Sequence, residues 1–153
     1  MTEDIEKKID REKFQVLILY CPAYFPFNFF RHPWFVLNEK GNVSRWEVRH
    51  HINKQNNNYL FVNNQNPFEG INKFPYIKSK WDARFIKLIE GDLAGKIINF
   101  IKTSGDKYPY VNSYRFSGPN SNTYLAWVLD NFPEINLELS SRFIGKDYKI
   151  SIE

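Results

Sequence analysis

Residues 14–20, Phe-Gln-Val-Leu-Ile-Leu-Tyr, form an apolar, β-prone run broken only by Gln15. Such a run reads as a strand from the middle of a sheet, and Cys21-Pro22 ends it. The rest of the fold has to be arranged around that strand. Residues 23–31 follow as an aromatic loop with a Phe27-Asn28-Phe29-Phe30 run, read as cover for the core. Residues 32–37, His-Pro-Trp-Phe-Val-Leu, read as a second strand. Residues 38–42, Asn-Glu-Lys-Gly-Asn, are a hairpin turn with Gly41 in place, and residues 43–48 are the returning strand.

A short strand at 59–62 lies between polar loops at 53–58 and 63–67. Residues 83–89 fit a strand or a helix, and the strand is preferred because Gly91 follows and Phe85, Lys87 and Ile89 alternate. The helical spacing of Leu93, Ala94, Ile97, Ile98 and Ile101 predicts a helix, with Asp92 as its N-cap and Gly105 as its stop. A second helix is predicted over 122–131, with Leu125, Val128, Leu129 and Phe132 on one face and Pro133 at its end. Residues 135–139 alternate and read as an edge strand. The expected class is α+β: an antiparallel sheet packed against two or three helices. A charged N-terminal segment, 1–13, precedes a single domain, 14–153.

Composition narrows the function classes. The 14 Phe, 9 Tyr and 4 Trp point to a core built from rings rather than from small aliphatics. The net charge is +4, with basic residues scattered among acids and no long run of one sign. Lys78, Lys80 and Arg84 around Trp81 come nearest to a nucleic-acid stripe. They read instead as a solvated strand edge, so no nucleic-acid partner is expected. Cys21 stands alone, so no internal disulfide forms, and it reads as a buried, inert thiol. Residues 1–13 carry both charge signs, unlike a signal peptide, and no segment approaches transmembrane length. A cytoplasmic protein is expected, with export lacking a cleavable signal as the alternative. His50 and His51 are neighbours on a strand and point to opposite faces, which prevents joint chelation. No metal and no cofactor are expected, and no Gly-rich phosphate loop is present.

The candidate chemistry centres on Gly118-Pro119-Asn120-Ser121-Asn122-Thr123, which places a turn and polar residues directly before an apolar helix. A helix start offers free N–H donors and partial positive charge. Ser121, Asn120 and Asn122 are each able to cap it. Ser121 could also act as a nucleophile, given a base to take its proton. His32 is the natural base. Glu47, on the paired strand of the hairpin, lies opposite the neighbourhood of Trp34 and could orient the His32 ring.

Gly118-Pro-Asn-Ser-Asn-Thr-Tyr124, Phe132-Pro-Glu134 and Ile144-Gly-Lys-Asp-Tyr148 together resemble the bacterial family DUF3750, a domain of unknown function. His32-Pro-Trp-Phe-Val36, Trp46-Glu-Val48, Gly91-Asp-Leu-Ala94 and Tyr108-Pro-Tyr110 extend the resemblance over roughly residues 14–148. The family implies no activity. The order of a strand histidine, a polar residue on the next strand and a nucleophile at a late helix start is similar to circularly permuted papain-like (NlpC/P60-like) hydrolases and acyltransferases. There, Asn-Cys opens the last catalytic helix; here Asn120-Ser121 stands in that place.

Two readings follow. In the first, the protein is an amide or ester hydrolase or acyltransferase. Ser121 attacks, His32 is the base, Glu47 orients it, and N–H groups near Asn122 and Thr123 form the oxyanion hole. In the second, it is a non-catalytic binding module. Asn120, Asn122, Thr123, Trp34, Trp46 and Tyr124 then surround a small polar ligand or a peptide. A surface-acting effector that exposes the 24–30 loop as an apolar patch is a further alternative.

Overall fold

A short helix, α1 (Thr2–Glu6), precedes β1 (Phe14–Pro22). Then come β2 (Arg31–Glu39), β3 (Asn42–Asn53), β4 (Asn58–Val62), β5 (Glu69–Phe74), β6 (Ile77–Asp82) and β7 (Arg84–Glu90). The later helices are α2 (Gly91–Lys102), α3 (Ser104–Lys107) and α4 (Ser121–Asn131), followed by a 3-10 turn at Pro133–Ile135. This computed structural model describes residues 2–149. Residue 1 of the charged segment and residues 150–153 of the expected domain lie outside the described residues.

Five strands form an antiparallel sheet in the order β4-β3-β2-β1-β7, and β5 pairs with β6 in a separate ribbon. The fold is α+β. β1 lies inside the sheet, and the two faces of the sheet are covered by different layers. Val16 and Ile18 pack with Phe35, Leu37, Ile97, Ile101 and Leu125 on the side of α2 and α4. Leu17, Leu19 and Cys21 point the other way, into Trp34, Val36, Phe68, Ile71 and Ile5 of α1. Successive side chains of a strand alternate between faces. With both faces dry, the run is apolar at every position from Val16 to Leu19, which explains why it does not alternate. Burial on the α1 side also ties down the N-terminal segment. There Asn38 Nδ2 donates to Asp10 O at 2.9 Å and Gln15 Nε2 to Lys8 O at 3.0 Å.

The β2–β3 hairpin closes with Glu39 opposite Asn42. Lys40 and Gly41 between them have φ of 52° and 96°. Positive φ at both central positions gives the turn whose twist matches the flanking strands. Asn38 Oδ1 braces it by accepting from Gly41 N–H at 2.8 Å.

Three expected local features differ. α2 begins at Gly91 with Glu90 in the capping position, not Asp92, because the chain passes straight from β7 into the helix through Gly91 at φ 74°. Asp92 sits in the first turn, where its charge favours the helix dipole. α2 stops at Lys102, capped by Thr103, and Gly105 falls inside α3. Residues 135–139 form no strand: Pro133 starts a 3-10 turn, and Asn136 leaves it with left-handed φ of 54°. The 23–31 loop covers the core only in part, since Phe25, Phe27 and Phe29 are more than half exposed. Among the described residues, no helix is long and apolar enough to cross a membrane.

The ribbon lies so close on β1 that a Cβ at Gly70 would stand 2.6 Å from Trp81 O and 2.9 Å from Cys21 Cβ. Gly70→Ala should therefore destabilise the protein by about 1–3 kcal/mol. Gly105→Ala, with nothing within 4 Å of the added carbon, should be neutral or mildly stabilising. Urea unfolding of both variants checks the contrast, and equal effects would contradict this packing.

Candidate active site

The start of α4 is a reciprocal cap. Asn120 Oδ1 accepts from the N–H of Asn122 at 2.9 Å and of Thr123 at 3.2 Å. Thr123 Oγ1 accepts from Asn120 N–H at 3.0 Å. Three N–H donors at this one helix end are thereby satisfied at once.

The same side chains hold the C-terminal segment. Asn120 Nδ2 donates to Phe116 O and Ile144 O, each at 2.9 Å. Asn122 Nδ2 donates to Ile144 O at 2.9 Å and to Arg31 O, at the start of β2, at 3.1 Å. Thr123 Oγ1 donates to Gly145 O at 2.7 Å. Gly145 has φ of 94°, and a Cβ there would meet the Asn120 amide at 2.5 Å. The resemblance residues at 118–124 and 144–148 are thus two halves of one clasp. Ser121 stands apart from it. Neither its hydroxyl nor its N–H has a hydrogen-bond partner among the described residues.

Ser121 instead lines a cavity of about 270 Å³, together with His32, Arg49 and His50. The walls are apolar, built from Phe27, Phe30, Phe116, Ile71 and Ile144. Asn120 and Asn122 reach its lining as well. Two elements put Ser121 and His32 in the lining of one cavity: the first turn of α4 and the first residues of β2, bonded to each other through Asn122 and Arg31.

Glu47 lies beside His32, as the hairpin register implies: Phe35 faces Trp46, one residue before Glu47. Glu47 Oε2 is 3.8 Å from His32 Nε2, within ion-pair range and beyond hydrogen-bond reach. Its oxygens are held elsewhere. Arg45 Nε donates to Oε2, and Arg49 Nη1 to Oε1 at 3.1 Å. Arg49 also donates to Tyr24 OH at 3.0 Å. Arg45 donates through Nη1 to Asn66 O at 2.7 Å and Glu69 O at 2.6 Å, and its guanidinium lies 4.0 Å from the Trp34 ring centre. All of these charged side chains are buried. His32 Nε2 and Arg45 Nη2 are buried with no hydrogen-bond partner among the described residues.

Burial sets the protonation states. It pushes His32 below its ordinary value; the attraction of Glu47 opposes this, and the arginines add to it. The ring is neutral at neutral pH. Burial alone would raise Glu47, but Arg45, His32 and Arg49 more than offset it and hold the carboxyl well below the usual range. His50 is held down at about 4 by burial and by Arg49. Burial pushes the Tyr114 hydroxyl, also in the cavity lining, up to about 12. It does the same to Cys21, which stays a protonated, unreactive thiol.

The other expected ligand contacts lie elsewhere. Trp34 is buried under Arg45 and donates to Pro67 O at 2.8 Å. Trp46 packs against the helix-side core, with its ring N–H on Ser44 Oγ at 3.1 Å. Tyr124 is buried and shares a hydrogen bond with Ser104. Thr123 is absorbed by the clasp. None of these four lines the cavity. The N–H groups of Asn122 and Thr123, expected as oxyanion donors, already serve Asn120 Oδ1. His50 and His51 do not diverge as expected: β3 loses its regular register beyond Val48, and the two rings meet edge to face at 4.9 Å. Among the described residues, no cluster of three or more His, Cys, Asp or Glu is placed to hold a metal.

Arg45 and Arg49 had a sequence signal that the reading above does not use. Arg45, Glu47 and Arg49 alternate along one strand and so share a face. Two cations flanking an acid on a buried face announce an internal ion cluster.

In comparisons with known proteins, the family described as "Protein of unknown function (DUF3750)" matches residues 14–148. No curated protein and no solved structure matches.

Removing the Glu47 charge leaves buried guanidiniums uncompensated. Glu47→Gln should cost about 3–5 kcal/mol of stability, read by urea unfolding. Acid should weaken the native protein in two steps. His32, kept neutral by the fold, contributes stability that is complete above its ordinary value of 6.5 and is lost as pH falls below it. His50 adds to this step in smaller measure, being more exposed. Glu47 contributes stability that is complete above 4.5 and is lost as pH falls further. A urea midpoint that stays level from pH 7 to pH 5 would contradict the buried, neutral His32.

Proposed function

Because the chain belongs to the DUF3750 family, whose description carries no activity, its function rests on its site, and we propose that this is an acyl-transfer centre. The protein hydrolyses an amide or ester, or passes its acyl group to an acceptor. One observation carries this reading. Of the four polar side chains at 120–123, three make the hydrogen bonds of the clasp, whereas Ser121, in the lining of the cavity that His32 also lines, has no hydrogen-bond partner for its hydroxyl or its N–H among the described residues.

Ser121 Oγ attacks the substrate carbonyl carbon while its proton passes to His32. With Nε2 turned toward Glu47, Nδ1 is the ring nitrogen that receives it. Glu47 stabilises the imidazolium that forms. The tetrahedral oxyanion is met by the Ser121 N–H and the positive end of α4. Collapse breaks the bond to the leaving amine or alcohol, which takes the proton from His32 and leaves an acyl-serine. Water, deprotonated by His32, then attacks that acyl carbon, releases the acid and restores Ser121. The apolar walls suit an apolar substituent on the substrate. The arrangement resembles a permuted papain-like hydrolase with serine in the cysteine position.

A binding module is the second reading, favoured by a different observation. Both Glu47 oxygens are engaged by arginines, and Glu47 stands 3.8 Å from His32 rather than in hydrogen-bond contact.

A broad serine-reactive fluorophosphonate separates the two. On the catalytic reading it labels the wild-type protein, and Ser121→Ala and His32→Ala each abolish labelling. The labelling rate rises with pH through a midpoint below 6.5 and is flat across neutral pH, as the lowered His32 value requires. Absent labelling, or labelling indifferent to both substitutions, leaves the binding module.

A further inference from the structure

The cavity mouth sits in an exposed ridge of rings that a hydrolytic site does not require. Phe27 and Phe116, both about half exposed, meet at a tilt with ring centres 5.2 Å apart, and Phe30 joins them at 5.5 Å from Phe116. Phe29, 62% exposed, packs edge-on against Phe30. The ridge continues through Phe25 and Phe74, whose rings are 5.6 Å apart. It ends at Tyr76, 99% exposed in the β5–β6 turn, and its neighbour Ile77. The loop and the ribbon are bonded there: Phe25 N–H donates to Lys73 O at 2.9 Å. Exposed rings gathered on one loop and one turn mark a surface that meets a partner.

The ring-bearing segments carry charge of one sign, and the neighbouring Asp147 is paired with Lys146 at 2.8 Å. Segments 23–31, 73–79, 113–121 and 140–145 contain Arg31, Lys73, Lys78, Arg115 and Arg142, and no Asp or Glu. The Arg142 guanidinium lies 4.6 Å from the Phe29 ring centre, so cation and ring occupy one patch. The acidic residues of the ribbon, Glu69 and Asp82, face each other in the strand register at its far end, and Glu69 Oε2 lies 3.6 Å from Lys80 Nζ.

We propose that this face docks the protein on an anionic lipid surface, with the ring tips inserted at the interface and the basic residues against the headgroups. Apolar tips ringed by cations are complementary to a surface that is negative outside and apolar beneath. A single-stranded nucleic acid would instead need rings lying flat and free for stacking. Here Phe27, Phe30 and Phe116 pack against one another at 54° and 79°. The cavity then opens toward the lipid interface, whether or not Ser121 is a nucleophile.

Co-sedimentation of the full chain with vesicles tests this. Phosphatidylcholine vesicles containing about one third phosphatidylglycerol should capture the protein at low salt, and pure phosphatidylcholine vesicles should not; added salt should release it. The variant Phe25→Ser/Phe29→Ser/Tyr76→Ser changes exposed positions outside the cavity lining and should bind at least about tenfold more weakly. Lys73→Glu/Lys78→Glu should do the same by charge alone. Thermal unfolding checks that both variants stay folded. Ser121→Ala should bind as the wild type does, which keeps this result separate from the catalytic one. Absence of anionic-vesicle binding would overturn the proposal. So would binding indifferent to both variants, capture of a single-stranded oligonucleotide in place of vesicles, or self-association through this face without lipid.

Discussion

A carboxylate buried between two guanidiniums is the constraint on which the rest of the structure depends. Glu47 has almost no contact with water, and a bare ion there would be untenable. Arg45 and Arg49 make it tenable, and each then reaches outward. Arg45 binds the carbonyls of Asn66 and Glu69, which fixes the chain leading into β5. Arg49 binds Tyr24 and so fixes the start of the aromatic loop. One acid thus connects the central sheet to the second layer and to the cavity wall. Its field also acts on His32, whose ring is kept neutral by burial while a carboxylate stands ready beside it.

The clasp at the start of α4 supplies the other half of the site. A helix end needs its N–H groups satisfied, and Asn120 does this while gripping Ile144 through its amide. Asn122 and Thr123 grip the same segment. These bonds hold the helix start against the first residue of β2, and this brings Ser121 and His32 to one cavity. A polar hexapeptide of this kind is mostly architecture. Within it, the Ser121 hydroxyl takes no part in the clasp.

Much of this was legible along the chain. The apolar run at 14–20 announced an interior strand, and Lys40-Gly41 announced the hairpin, because both signals are local. The hairpin arithmetic put Glu47 near His32, since an antiparallel register is set by its turn. The aromatic contacts were not legible: Trp34, Trp46 and Tyr124 are buried elsewhere, while Phe27, Phe30 and Phe116 line the cavity. A ring is equally at home in a core or a pocket wall, so residue type does not tell them apart. Asn120, Ser121 and Asn122 were all candidates for the cap, and no local signal showed that Asn120 would be the one to take the N–H groups of Asn122 and Thr123.

By itself, the sequence determined the α+β class, the central strand, the β2–β3 hairpin and the polar start of α4. Each follows from the periodicity or turn chemistry of a few neighbouring residues. Tertiary structure alone decided which polar groups remained free. Whether a hydroxyl, an N–H or an arginine is spent on structure depends on partners tens of residues away, such as Ile144 for Asn122 and Asn66 for Arg45. Only the closing of the chain brings those partners within hydrogen-bond distance.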